Sequence, residues 1–105
     1  MAMPVNISIV TPAFNSASTL RDTIESVRAQ DYSDWEHIVM DGGSTDGTVA
    51  LLQTYPHLKW LSEKDQGHYD AMNKGIARAS GEFILILNAD DCLRPGALGA
   101  AVEAF

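Results

Sequence analysis

The chain has 105 residues, 46% of them hydrophobic and 20% charged, with a formal net charge of −7. That describes one small folded domain with a single core, neither a disordered segment nor two domains. Its seven basic residues (Arg21, Arg28, Lys59, Lys64, Lys74, Arg78 and Arg94) are scattered, so nucleic acid is not expected as a partner, and no apolar segment approaches the roughly 20 residues of a membrane span.

Val5 to Thr11 reads as a strand ended by Pro12. Ser16 or Ser18 suits the cap of a helix running to about Gln30, with Leu20, Ile24 and Val27 on one face. Trp35 to Met40 is a second strand, closed by Asp41-Gly42-Gly43-Ser44. A shorter helix from about Asp46 to Thr54 turns Val49 and Leu52 to the core, and Tyr55-Pro56 stops it. Leu58 to Ser62 is a brief third strand. Gly67 to Ala79 reads as a helix with Tyr69, Met72 and Ile76 on its buried side, ended by Ser80-Gly81. Phe83 to Leu87, five consecutive apolar residues, reads as a strand covered on both faces. Pro95 suits the first position of a last helix through Leu98, Val102 and Phe105, which leaves Arg94 at the cap. Phe105 falls on the buried side with no capping signal after it, so the chain reads as truncated.

Strands alternating with helices at this spacing predict right-handed crossovers and an α/β fold, a Rossmann-like three-layer α/β/α arrangement with a mainly parallel sheet. Such sheets bind ligands at the carboxyl ends of their strands. Three loops converge there: Thr11-Pro12-Ala13-Phe14-Asn15, the run from Asp41 to Thr48, and Asn88-Ala89-Asp90-Asp91. The adjacent carboxylates Asp90 and Asp91 repel each other unless they share a cation, and Mg²⁺ or Mn²⁺ holding substrate phosphates supplies one. The plainer reading is a turn or helix cap. Phe14 offers a ring face to a base, or equally a core side chain. Asp41 can accept from a base or ribose, and Gly42-Gly43 admits a close ligand or a turn of positive φ. Ser44-Thr45-Asp46 reads first as the cap of the next helix. Cys92 forbids an internal disulfide, fits a reducing cytoplasm, and reads as a small packed residue. His37 belongs to the core or an edge, His57 to a turn, and His68 lies near the site without metal-ligand spacing.

These residues carry a resemblance. Ser8-Ile9-Val10-Thr11-Pro12-Ala13-Phe14-Asn15, the Asp41-to-Thr48 stretch, and Gly81-Glu82-Phe83 leading to Asp90-Asp91 resemble the nucleotide-binding half of a family 2 glycosyltransferase with the GT-A fold. Asp65-Gln66-Gly67-His68-Tyr69-Asp70-Ala71-Met72-Asn73-Lys74-Gly75-Ile76 resembles the branch that builds exopolysaccharides of the colanic-acid type. The segments span most of the chain in the expected order.

The resemblance implies that residues 1–105 are the nucleotide-sugar-binding part of a hexosyltransferase-like enzyme, the acceptor half being missing. It places Pro12, Ala13, Phe14, Asn15, Asp41, Asp70, Asn73 and Asp90 around the donor. Asp91, with Asp90, would hold Mg²⁺ or Mn²⁺, which stabilises charge on the departing nucleotide. Transfer would invert the anomeric carbon, and the acceptor would be a glycan or lipid-linked saccharide. The general base is expected beyond Phe105. A cytoplasmic location follows, peripheral to the inner face of a membrane for the whole protein, and a homo-oligomer is compatible with it. Two departures stand out. Many members carry a second acid where this chain has Gly42, which puts uridine specificity in doubt, and Asn88 replaces a frequent Asp. Rival readings are a donor-binding fragment without transfer, a nucleotidyltransferase and a phosphoacceptor signalling domain. The second lacks a Gly-rich basic loop after strand one, and the third lacks acids after the first strand and a lysine after the last.

Overall fold

The computed structural model describes residues 6–104. In chain order the elements are β1 (Ile7–Ala13), α1 (Leu20–Arg28), β2 (Trp35–Asp41), α2 (Thr48–Leu52), β3 (Lys59–Ser62), α3 (His68–Arg78), β4 (Phe83–Ile86) and α4 (Ala97–Glu103). The strands form a four-stranded sheet in the order β3-β2-β1-β4, every pair parallel. The order reverses beside β1, so the loops after β1 and β4 flank a topological switch point.

Strand β1 runs through Pro12 to Ala13 rather than stopping before the proline. The physical reason is the two-residue alternation of a strand. Leu87 donates its N–H to the Val10 carbonyl, so residue 12 also faces the β4 side, where β4 has already ended. The donor that proline lacks is not needed there.

Register places Ile7, Ile9, Thr11 and Ala13 on the same side as Trp35, His37, Val39 and Asp41. This face carries the larger core. Leu20 and Ile24 of α1 and Leu51 and Leu52 of α2 pack on Ala13 and Val39, while Val27 and Leu98 of α4 pack on Ile7 and Ile9. The other face is closed by α3 alone, through Ala71 against Val10, Ile38 and Met40. Three layers result, as the periodicity predicts.

Two expectations are corrected. The buried side of α3 is Ala71 and Gly75, not Tyr69 and Ile76, which are 78% and 39% exposed. A Cβ on Gly75 would stand 2.3 Å from Val10 Cγ1, so the helix approaches the sheet through its smallest residues. That close approach turns its larger apolar side chains outward. Strand β4 is not covered on both faces: it borders β1 alone, and Ile84 is 44% exposed because α3 lies over β1 and β2.

Helix starts also differ. The α1 cap position is Thr19, whose side chain makes no capping bond, while the Ser16 carbonyl accepts from Leu20 N–H at 2.9 Å. Helix α4 begins at Ala97 after Gly96 (φ 79°), so Pro95 and Gly96 form a preceding turn and Arg94 is no cap. Cys92 is exposed rather than packed. Val5 and Phe105 lie outside the described residues.

At the amino ends of the strands, Glu36 ties four segments together. Its carboxylate accepts from the Ser8 hydroxyl, from Lys59 and from Ser80 N–H and hydroxyl at 2.7 and 2.9 Å. Burial pushes that carboxyl up, but the donors from Lys59, Ser8 and Ser80 outweigh it and hold it at about 2. His37 is a core residue, fully buried with Nε2 2.7 Å from Thr11 Oγ1. Burial, and then the neighbouring His57, lower its imidazole to about 3.

Candidate nucleotide site

The loops after β1, β2 and β3 enclose a cavity of about 540 Å³ at the carboxyl end of the sheet. Pro12, Ala13 and Phe14 line it from the first loop, Gly42 and Gly43 from the second, and Lys64, Asp65, Gly67, His68 and Ala71 from the third loop and α3. Its size suits a small-molecule ligand. Phe14 is 61% exposed, so its ring belongs to the cavity rim and not to the core. Lys64, Asp65 and Gly67 join the three loops expected from the sequence because β3, like every strand of a parallel sheet, also ends at this edge.

The expected donor-site residues divide into two groups. Pro12, Ala13 and Phe14 line the cavity; Asn15, Asp41, Asp70 and Asn73 do not. Each of the first three of those is engaged in holding the backbone. Asn15 adopts φ 48°, a conformation that asparagine tolerates, and stitches loop to loop: its N–H donates to Ser44 Oγ at 2.8 Å and its Oδ1 accepts from Thr45 N–H at 2.9 Å. Asp41 is 2% exposed and accepts from Gly43 N–H (3.2 Å), Ser44 N–H (2.9 Å), the Ser44 hydroxyl and the Ser62 hydroxyl (2.7 Å). Three of these donors fall on Oδ2 and the Ser44 hydroxyl on Oδ1, so the buried carboxylate ties its own loop to β3. Asp70 accepts from Gln66 N–H at 2.9 Å and pairs with Lys74 at 3.4 Å. The Gln66 bond and then Lys74 hold its carboxyl below the usual range against a smaller opposing effect of burial. Asn73 is exposed on α3.

Asp46 serves the fold as the sequence suggests. Its carboxylate accepts from Thr48 N–H at 2.9 Å and Ala17 N–H at 3.2 Å, joining the start of α2 to the first loop. His68 lines the cavity, its ring edge-on to Tyr69 at 5.7 Å.

The acidic pair stands on the other side of the first loop, after β4. Both carboxylates are exposed, and no hydrogen bond or ion pair from the described residues engages either side chain. The backbone of this loop is held firmly by one face of α1 and its flanks. Thr19 Oγ1 donates to the Ala89 carbonyl at 2.9 Å. The Thr23 hydroxyl lies 2.6 Å from the Asp91 carbonyl and 3.0 Å from that of Ala89. Ser26 Oγ accepts from Leu93 N–H at 3.0 Å, while the Gln30 amide donates to the Arg94 carbonyl at 2.9 Å and accepts from Leu98 N–H at 3.1 Å. Positions 19, 23, 26 and 30 share one helix face beside the apolar stripe. The sequence carried this signal as four polar residues at helical intervals.

Two neighbouring carboxylates with unused lone pairs on a fixed backbone suit a hard divalent cation that takes its remaining ligands from water and phosphate. Among the described residues no group of three or more His, Cys, Asp or Glu gathers, so such an ion would have Asp90 and Asp91 as its protein ligands.

An open parallel sheet with an aromatic-rimmed cavity and a free carboxylate pair at its carboxyl edge has the arrangement in which open α/β folds bind ligands. Residues 8–105 match the family described as Glycosyl transferase family 2. The chain belongs to that family. Over its whole length it is 45% identical to an uncharacterized glycosyltransferase of Mycobacterium tuberculosis and covers 42% of it. It is 39% identical to a PGL/p-HBAD biosynthesis glycosyltransferase of Mycobacterium bovis and covers 43% of that protein. The chain therefore spans about two fifths of these curated relatives. Among solved structures, 93% of it superposes on 30% of S. aureus TarS 1-349 in complex with UDP-GlcNAc, with a TM-score of 0.85 and 27% identity. It also covers 32% of the mannosyltransferase PcManGT from Pyrobaculum calidifontis in complex with GDP-Man and Mn²⁺, with 97% of this chain aligned, a TM-score of 0.82 and 26% identity. The sheet is thus that of GT-A glycosyltransferases.

Proposed function

We propose that this chain is the donor-binding part of an enzyme that moves a hexosyl group from a nucleoside-diphosphate sugar to a glycan or lipid-linked saccharide. The observation that carries this reading is an exposed Phe14 ring at the cavity rim together with the exposed, unengaged carboxylates of Asp90 and Asp91 in the loop after the neighbouring strand β4. Phe14 stacks the base between itself and the Pro12–Ala13 wall, at about 1–3 kcal/mol. Asp90 and Asp91 are the residues that would hold Mg²⁺ or Mn²⁺. When bound, the ion supplies Lewis-acid stabilisation of the negative charge on the departing nucleotide. Thr19 and Thr23 fix the loop that presents the two acids. Displacement at the anomeric carbon inverts it, and the acceptor-binding half and general base belong to the portion of the relatives' length that this chain does not span. Assembly into the colanic-acid type of pathway, a homo-oligomer and a seat at the inner face of a membrane are compatible extensions of the reading. Among the described residues no helix is long and apolar enough to cross a membrane.

Calorimetry with UDP, GDP and dTDP, with and without Mn²⁺, tests the reading. Mn²⁺-dependent binding of a nucleoside diphosphate by the native chain, reduced to the metal-free level in Asp91→Ala, is the expected result. Binding that ignores both metal and substitution would remove the acidic pair from the site.

A further inference from the structure

A second cavity, of about 730 Å³, lies at the opposite end of the sheet, beside the first residues of β2 and β3, Trp35 and Lys59. The seven residues of β2 separate it from the first cavity by roughly 20 Å. Three aromatic rings form its wall. His57 stands edge-on to Trp35, with centroids 5.9 Å apart at 85°, and edge-on to Tyr55, 5.7 Å apart at 88°. The Tyr55 ring is buried and fixed: its hydroxyl donates to Glu25 at 2.7 Å, and the Arg28 guanidinium lies 5.7 Å from the ring centroid. His57 is exposed and Trp35 half-buried, so both offer ring surface to the cavity.

Charge and hydrogen bonding select the ligand. Both cations of the wall have carboxylates of their own, Arg28 with Glu25 at 3.1 Å and Lys59 with Glu36. A phosphate or carboxylate would compete with those two acids, and the net charge of −7 opposes its approach. Burial, and then Arg28, lower the His57 imidazole, so at pH 7 the ring is neutral, with one donor and one acceptor nitrogen. Among the described residues no hydrogen bond engages that ring or the Ser33 hydroxyl, which also lines the cavity. A neutral sugar ring matches this set. Its axial C–H groups pack on aromatic carbon, and its hydroxyls both donate and accept, as Ser33 and His57 do. The rings are braced against one another in advance, so binding orders little. We infer that this cavity binds a neutral saccharide unit, in a family whose chemistry is sugar transfer. The two cavities share no lining residue, so a sugar held here belongs to a distant part of a glycan and not to the donor. The inference stands whether or not the donor site is as proposed above.

The test is ¹H–¹⁵N NMR of the chain, followed at the indole N–H signals of Trp35 and Trp60. The neutral probes are methyl α-mannoside, N-acetylglucosamine, maltose and cellobiose; glucuronate and inorganic phosphate are the anionic ones. At least one neutral saccharide is expected to shift the Trp35 signal saturably, with a Kd below about 10 mM, and more tightly than either anion. His57→Ala and Ser33→Ala remove exposed side chains and should keep the fold, which the dispersion of their spectra checks. His57→Ala should weaken the same saccharide by roughly twofold to tenfold, the scale of one aromatic contact. Loss of affinity in either variant supports the site. The inference is overturned if none of the four saccharides binds, if an anion binds more tightly, or if both variants bind the sugar as the native chain does. None of these results touches the donor site, which nucleotides test separately.

Discussion

The hydroxyl of Thr23 links the first helix to the loop that carries the acidic pair, and removing it separates a structural contribution from a functional one. Thr23 is fully buried. Thr23→Val exchanges the hydroxyl for a methyl of similar size, keeps the β-branch and barely alters helix propensity, so it opens no cavity. The Ala89 carbonyl retains the Thr19 hydroxyl at 2.9 Å. The Asp91 carbonyl, now 2.6 Å from Thr23 Oγ1, loses that side-chain donor in a part-buried position. An unsatisfied acceptor of this kind costs about 1–3 kcal/mol. For a domain of about 100 residues each 1 kcal/mol lowers Tm by about 4–8 °C, so scanning calorimetry should show a fall of at least about 4 °C. Thr23→Ser is the control. It keeps the donor and loses a buried methyl, at about 1 kcal/mol. Both variants should therefore melt lower, but only Thr23→Val should weaken Mn²⁺-dependent nucleotide binding, because only there is the Asp91 backbone released. A valine variant that melts and binds like the native chain would refute the latch.

Three further outcomes follow from the geometry. Phe14→Ala should leave stability within about 0.5 kcal/mol, since the ring is 61% exposed, yet weaken nucleoside diphosphate binding by the 1–3 kcal/mol of a stacked base, roughly fivefold to 150-fold; a fall in urea midpoint without loss of affinity would return Phe14 to the core. Gly75→Ala gains about 1 kcal/mol of helix propensity but drives a methyl to 2.3 Å from Val10 Cγ1, so net destabilisation of about 1–2 kcal/mol is expected in urea, and a more stable variant would contradict the close approach of α3. The Glu36 carboxyl is held at about 2 against an ordinary 4.5, and because the folded value is the lower one, its contribution is complete above pH 4.5 and is lost as pH falls from there to about 2. Glu36→Gln should be less stable than the native chain at pH 7, by on the order of 2 kcal/mol, with the two curves converging toward pH 2; parallel curves would show that Glu36 does not titrate differently on folding.

Much of the site was legible because alternating strands and helices send every strand end to one edge. That rule brings the loop of Pro12, Ala13 and Phe14 and the loop of Asp90 and Asp91 to the same edge, while their roles toward a donor are what the family resemblance implies. It did not tell which polar residues there face a ligand. Asn15, Asp41 and Asp70 have the right chemistry for binding, but their backbone neighbours offer unsatisfied N–H groups at closer range, and those groups capture them. Nothing in the sequence places the Asp65 carboxylate, which packs into the space that Gly42 leaves by having no side chain. Helix α3 differs from its periodicity for a related reason: the pattern favours the large apolar residues Tyr69 and Ile76, whereas the sheet beneath admits Ala71 and Gly75.

By itself the sequence determined the order of the elements, the parallel sense of the sheet and the edge at which the loops after the strands gather, because hydrophobic period and crossover handedness are local properties of the chain. Tertiary structure alone decided which side chains remain unpaired at that edge. A hydrogen-bonding group is available to a ligand only after the backbone donors and acceptors around it have been satisfied, and those neighbours come from segments distant in sequence: Asn15 meets Thr45, Thr23 meets Asp91, and Gly42 meets Asp65.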